Sequence, residues 1–137
     1  LHTQKAIQHL KQSKRWPLFW NDAQAGKIEV AVDNFGDVVL ARKDTPTSYH
    51  LAVTIDDALQ NITHIIRGED LFHTSHIHRL LQAIFELPTP EYIHHDLIRD
   101  TNGVRFAKRH KSETLQSLRH NGTSAQEVYA RLGISPH

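Results

Sequence analysis

Cysteine is absent from this 137-residue sequence, and so is methionine. Without cysteine there are no disulfides and no thiolate metal sites, which fits a reducing cytosol. A chain that opens on Leu1 and holds no methionine is expected to be an internal piece of something longer. No apolar run approaches the ~20 residues that a bilayer-spanning helix needs, so no membrane partner is expected. An excess of charge of one sign is missing too. Sixteen Lys and Arg against 15 Asp and Glu leave a formal net charge of +1, too little for an overall electrostatic footprint. Twelve His would make the chain more positive below about pH 6.5.

What is present is enough for one domain with a real core: 39% hydrophobic and 23% charged residues. The organising stretch runs from Thr63 to Lys111. The β-rich run His64 to Arg67 stops at Gly68, and Ile77, Leu80, Leu81, Ile84 and Phe85 then recur at i, i+3, i+4, i+7 and i+8. That spacing predicts a helix with one apolar stripe. Leu87-Pro88-Thr89-Pro90 ends it, because a residue before proline is pushed out of the helical region. A second run, Tyr92 to Ile98, leads into the turn Asp100-Thr101-Asn102-Gly103. Strand, crossover helix and strand imply a parallel, right-handed pair. Ligands of such sheets bind beyond the carboxyl ends of the strands, where Arg67 and the basic run Arg105 to Lys111 fall.

Upstream, residues 1–15 read as an amphipathic helix with Ala6, Ile7 and Leu10 on one side. Trp16-Pro17-Leu18-Phe19-Trp20 is an aromatic knot, either a core or lid contact or a base-stacking platform for RNA. Lys27–Val32 and Asp37–Ala41 are expected as two strands joined through Asp33-Asn34-Phe35-Gly36. Tyr49 to Ala58 is expected as a helix. Downstream, Ser112 is the expected N-cap of a helix carrying Leu115 and Leu118, with its stop at Gly122. Ser124-Ala125-Gln126-Glu127 matches a capping box, and Gly133 ends the helix that follows.

His73, His76, His78, His94 and His95 are an unusual concentration, but the spacing is poor for ligation and there is no H-E-x-x-H. They are expected to be solvated or capping, with no metal site. The adjacent pairs Asp56-Asp57 and Glu69-Asp70 diverge on helix or strand alike, so neither is a catalytic dyad, and Asp70 is expected to cap the next helix. Arg67, at the end of a strand, can grip a carboxylate bidentately; the competing reading is a surface ion pair with Glu69 or Asp57. Arg105-Phe106-Ala107-Lys108-Arg109-His110-Lys111 is either a solvated loop or a phosphate-binding loop, though not a P-loop.

These residues resemble a known family. From Gly36 to Leu71 the sequence is similar to the glutamate-specific class I aminoacyl-tRNA synthetases. G-V-R-F-A-K-R-H resembles their K-M-S-K-S loop, commonly K-L-S-K-R-H in that family. The likeness is close over residues 36–110 and looser over 16–35 and 111–134. It implies an α/β fold: the second half of a Rossmann-like nucleotide-binding fold, with short β-strands N-terminal to it and two short helices C-terminal. Residues 1–35 would then be a connecting segment of helix plus strand from the inserted region. Residues 36–111 would be the second half of the catalytic domain, with the signature loop at 103–111, and 112–137 a C-terminal helical segment.

The implied partners are glutamate, ATP with Mg²⁺, and tRNA. P-T-S-Y-H-L-A-V and the short end after the loop are most similar to the glutamyl-Q tRNA(Asp) synthetases, which attach glutamate to queuosine in the anticodon of tRNA(Asp). K-R-H is more like the full glutamyl-tRNA synthetases, which act on tRNA(Glu); a non-catalytic remnant binding RNA or a protein is the third reading. Residue by residue, Tyr49 matches a tyrosine that contacts glutamate and Arg67 the arginine that pairs with its side-chain carboxylate. Lys108 matches the catalytic lysine that meets ATP phosphates. Arg105 stands for the first signature Lys, Ala107 for the loop Ser, and Arg109 takes the last position, with Phe106 between. The family's H-I-G-H motif and zinc module have no counterpart in this sequence, so half of the active site is expected from a missing N-terminal half.

Overall fold

The structure is a computed structural model that describes residues 1–32, 35–100, 102–106 and 113–135. Contacts divide the chain into two compact units, Leu1–His95 and Asp96–His137.

The first unit holds a four-stranded sheet, β1 (Phe19–Asp22), β2 (Gly26–Glu29), β3 (His64–Gly68) and β4 (Glu91–His95), ordered β2-β1-β4-β3. Three helices accompany it: α1 (Thr3–Gln12), α2 (Tyr49–Leu59) and α3 (Thr74–Ile84). β3 and β4 are parallel, as a crossover through α3 requires, and Arg67 sits opposite His94 in their register. β1 is parallel to β4 and antiparallel to β2. Alternation along β4 buries Tyr92 and His94 while Ile93, between them, faces the other side. On that other face Ile66 is 68% exposed.

α1 buries Thr3, Ala6, Ile7 and Leu10, one stripe at helical spacing. Arg15 clips its end to the end of α3, donating to Ala83 O at 3.0 Å and to Glu86 at 2.9 Å. The stripe meets Leu18, Trp20, Val30, Val32, Leu80, Ala83 and Tyr92 in the core. Leu18 and Trp20 of the aromatic knot are therefore core: Trp20 is 2% exposed and its ring lies 5.1 Å from Phe72 and 5.2 Å from Tyr92, while Pro17 is exposed.

The expected hairpin of 27–32 with 37–41 does not form. Lys27 pairs instead with Asn21, because the turn falls earlier: Asp22 Oδ1 accepts from the N–H groups of Gln24 and Ala25, both at 2.9 Å, and Gly26 follows at φ +76. An aspartate folding onto its own downstream backbone makes a turn by itself. Asp37 is used elsewhere, accepting from Thr3 N–H at 3.2 Å and meeting His2 Nδ1 at 2.7 Å at the start of α1. β4 also ends at His95, earlier than the expected Ile98.

α2 begins where Ser48 accepts from Leu51 N–H. α3 is nearly buried all round, His76 and His78 included. Its N-cap is His73 rather than Asp70, which lies in a short 3₁₀ turn, Glu69–Leu71.

The second unit opens with a tight loop in which Asp100 Oδ1 accepts from Asn102 and Val104 N–H, and Arg99 bridges to Arg105. Helices α4 (Leu115–His120) and α5 (Ala125–Leu132) follow. Thr114, not Ser112, caps α4, accepting from Ser117 N–H at 3.1 Å; Ser112 lies outside the described residues. The Ser124–Glu127 capping box starts α5, and Gly133 ends it at φ +65, a conformation a side chain disfavours.

Candidate functional site

The carboxyl end of β3 places Arg67, the start of α2 places Tyr49, and α3 lies between them in contact with both. Arg67 is half-buried, with its guanidinium 5.2 Å above the Tyr92 ring. Its three kinds of nitrogen are each engaged. Nε donates to His94 Nε2 at 3.2 Å, Nη1 to His78 Nδ1 at 3.2 Å, and Nη2 to the Ser75 hydroxyl. The partners are two imidazoles and a hydroxyl, not carboxylates. Neither Glu69 nor Asp57 forms an ion pair with it among the described residues, so that competing reading is set aside.

Proton positions follow because arginine only donates. His78 Nδ1 must accept, so its proton is on Nε2, donated to His50 Nδ1 at 3.0 Å. His94 Nε2 likewise accepts, so its Nδ1–H is donated to Asp22 Oδ2 at 2.6 Å. Ser75 adds a contact of 3.2 Å to the same His94 Nε2. A continuous line thus runs Asp22, His94, Arg67, His78, His50.

Burial pulls His78 down to about 3, helped by the Arg67 charge and by His50. Burial, then Arg67, also lowers His50, and burial with His73 lowers His76. Burial raises Asp22, but the hydrogen bonds from His94, Ala25 and Gln24 outweigh it, and the net direction is downward. Asp57 is raised by burial; the Arg67 charge acts the other way and Asp56 adds to the rise.

Tyr49 is 53% exposed, and its ring lies 5.7 Å from His50 and 5.8 Å from His78. Tyr49 and Arg67 therefore share His78 as a common neighbour. Of the signature loop, Arg105 and Phe106 belong to the second unit, where Phe106 N–H donates to Ile98 O at 3.1 Å. Ala107, Lys108 and Arg109 lie outside the described residues. The expectation of solvated histidines is corrected for His76, His78 and His94, all buried. The His50–His78 pair, Ser75 and Asp22 were missed as neighbours of Arg67. The strand register was the one available signal, since it sets position 94 opposite 67. Among the described residues no group of three or more His, Asp or Glu is arranged to hold a metal ion. No helix there is long and apolar enough to cross a membrane.

Arg67 is thus a half-buried cation at the carboxyl end of a parallel strand, with no carboxylate partner among the described residues, at the sheet edge beyond which ligands of open α/β sheets bind. The chain belongs to the family of class I tRNA synthetases for E and Q, matching its catalytic domain over residues 2–137. It is 47% identical over 106 residues to the glutamyl-Q tRNA(Asp) synthetase of Rhodobacter capsulatus, covering 77% of this chain and 38% of that protein. It is 32% identical over 120 residues to the glutamate–tRNA ligase of Aquifex aeolicus, covering 85% of this chain and 25% of that protein. Among solved structures, a glutamate tRNA ligase from Elizabethkingia meningosepticum in complex with its amino acid superposes with a TM-score of 0.59. That match is 30% identical and covers 77% of this chain and 24% of the other. The α/β fold expected from the sequence agrees with that likeness. The chain spans between about a quarter and two fifths of these relatives' length.

Proposed function

We propose that this chain is the glutamate-holding part of a ligase that activates glutamate with ATP and transfers it to tRNA. The observation that carries this is the state of Arg67. Of its five N–H groups three are engaged among the described residues, which leaves one on each terminal nitrogen. Two parallel N–H donors are what a carboxylate takes in a bidentate grip. A glutamine amide presents one oxygen and an NH₂, leaving one donor facing another, so the acid is selected over its amide. Tyr49, across His78, closes the other side of the ligand.

In the activation step the α-carboxylate of glutamate attacks the α-phosphorus of ATP, and pyrophosphate leaves. Lys108, with Arg105 and Arg109 close to it in the loop sequence, supplies positive charge to offset the negative charge that grows on the α-phosphate and the leaving pyrophosphate. Mg²⁺ arrives with ATP. Residues 36–111 serve as the second half of the nucleotide-binding fold, 1–35 as a connecting segment and 112–137 as a helical end. The rest of the active site comes from the further length that the relatives possess. The acceptor is queuosine in tRNA(Asp), supported by the P-T-S-Y-H-L-A-V stretch and the 47% likeness. tRNA(Glu) is the second candidate, supported by K-R-H and the Aquifex likeness.

Glutamate-dependent ATP–pyrophosphate exchange by the full-length protein tests the reading. Arg67→Ala and Lys108→Ala each abolish exchange if it holds; exchange that survives both refutes it. Charging of tRNA(Asp) with and without queuosine, set against tRNA(Glu), separates the acceptors. The 137-residue chain alone is expected to be inactive.

A further inference from the structure

The buried pair Asp22–His94 is not used by the reading above, yet it ends on the nitrogen that orients Arg67. We propose that Asp22 and His94 are positioning residues for glutamate, holding Arg67 through a fixed imidazole tautomer so that its two remaining N–H groups are presented as a pair. This rests on the reading of Arg67 as the carboxylate anchor.

The line of cause begins in the β1–β2 turn. Oδ1 of Asp22 is occupied by the N–H groups of Gln24 and Ala25, both at 2.9 Å, which fixes the carboxylate and turns Oδ2 towards His94. The Asp22 and His94 side chains are 1% and 3% exposed, so no water competes for the bond. A carboxylate can only accept, so His94 must carry its proton on Nδ1. Nε2 is then left with its lone pair, and Arg67 Nε–H donates into it. With the opposite tautomer, Nε2–H would face Nε–H, and the guanidinium would lose one of the three bonds that set its plane. A fixed guanidinium plane is what bidentate recognition needs.

The turn also determines what Asp22→Asn would do. The backbone donors of Gln24 and Ala25 hold the amide oxygen, so the amide NH₂ faces His94 Nδ1 and drives the proton to Nε2. Shape and burial are retained, and only the direction of one hydrogen bond is reversed. In the full-length protein, D22N is expected to raise the glutamate KM in pyrophosphate exchange about ten- to a hundredfold, the loss of one charge-assisted hydrogen bond, with the ATP KM unchanged. Histidine ¹⁵N spectra of the same protein should show His94 switching from Nδ1–H to Nε2–H. His94→Leu should raise the glutamate KM similarly. His94→Gln, whose amide oxygen still accepts from Arg67, should recover most of that loss.

A folded D22N with the switched tautomer and an unchanged glutamate KM overturns the proposal, as does a parallel rise in both KM values. If D22N does not fold, the two His94 variants decide, and equal KM values for them overturn it. An Arg67→Ala protein with normal glutamate KM removes the premise, a failure distinguishable because it leaves the tautomer switch intact.

Discussion

Acid should weaken this fold through one residue in particular, His78. It is 2% exposed, it accepts from Arg67, and burial with that neighbouring charge holds it down to about 3 against an ordinary 6.5. As pH falls below 6.5 the unfolded chain takes up a proton that the folded chain refuses. Stability from this group is therefore complete above pH 6.5, declines as pH falls, and stops declining near pH 3. Each pH unit inside that window removes about 1.4 kcal/mol, so acidification to pH 4 removes about 3 kcal/mol and the whole window about 5 kcal/mol. Domains have roughly 5–15 kcal/mol in total, so the effect is large. Asp22 does not confuse the test, since its depressed carboxyl loses stabilisation only below its ordinary 3.8. Asp57, raised by burial, acts in the opposite sense but is common to both proteins compared. The comparison is urea unfolding of the 137-residue chain and of His78→Gln at pH 7, 5.5 and 4. The wild type should lose about 3 kcal/mol more than the variant between pH 7 and 4. Parallel curves, or an NMR titration of folded His78 centred near 6.5, would refute the reasoning.

Three further outcomes are expected. Arg67→Lys should behave nearly as badly as Arg67→Ala in glutamate-dependent exchange, losing about 30-fold or more in kcat/KM, because an ammonium cannot offer the paired donors. Trp20→Ala should cost about 3–5 kcal/mol in urea unfolding. Trp20→Phe should cost less than half of that, since the buried Trp20 Nε1–H has no hydrogen-bond partner among the described residues and no bond to them is lost. Ser124→Ala should remove about 1 kcal/mol from α5, seen as faster amide exchange over residues 125–132 with no change near Arg67.

The β3–α3–β4 unit was legible because its signals are local and periodic: a stripe at 77, 80 and 81, a proline stop, a glycine after Arg67. Its ends depart: His73 rather than Asp70 caps α3, Phe85 is left 45% exposed as the C-cap, and β4 stops at His95. Ser124 and Gly133 were legible for the same reason. The hairpin was not, because two turn signals competed and the Asp22 turn has no glycine at its centre to advertise it. Val30 and Val32 are buried although they lie beyond β2, which β-pattern counting reads as more strand. The site was half legible. Arg67 and Tyr49 carry a resemblance, but histidine is polar on paper, and His78 and His94 are buried only because Arg67, His50 and Asp22 supply partners from distant positions.

The low proton affinity of the buried His78 fixes the polarity of its corner. Among the described residues the charge against His78 is that of the Arg67 guanidinium, and mild acidification adds none on His78 itself. Under the proposed function, a ligand with a single acidic arm would meet one fixed cation there rather than a charge that grows with acid. With 12 histidines in the sequence, the chain keeps this one, His78, as an uncharged spacer beside Arg67.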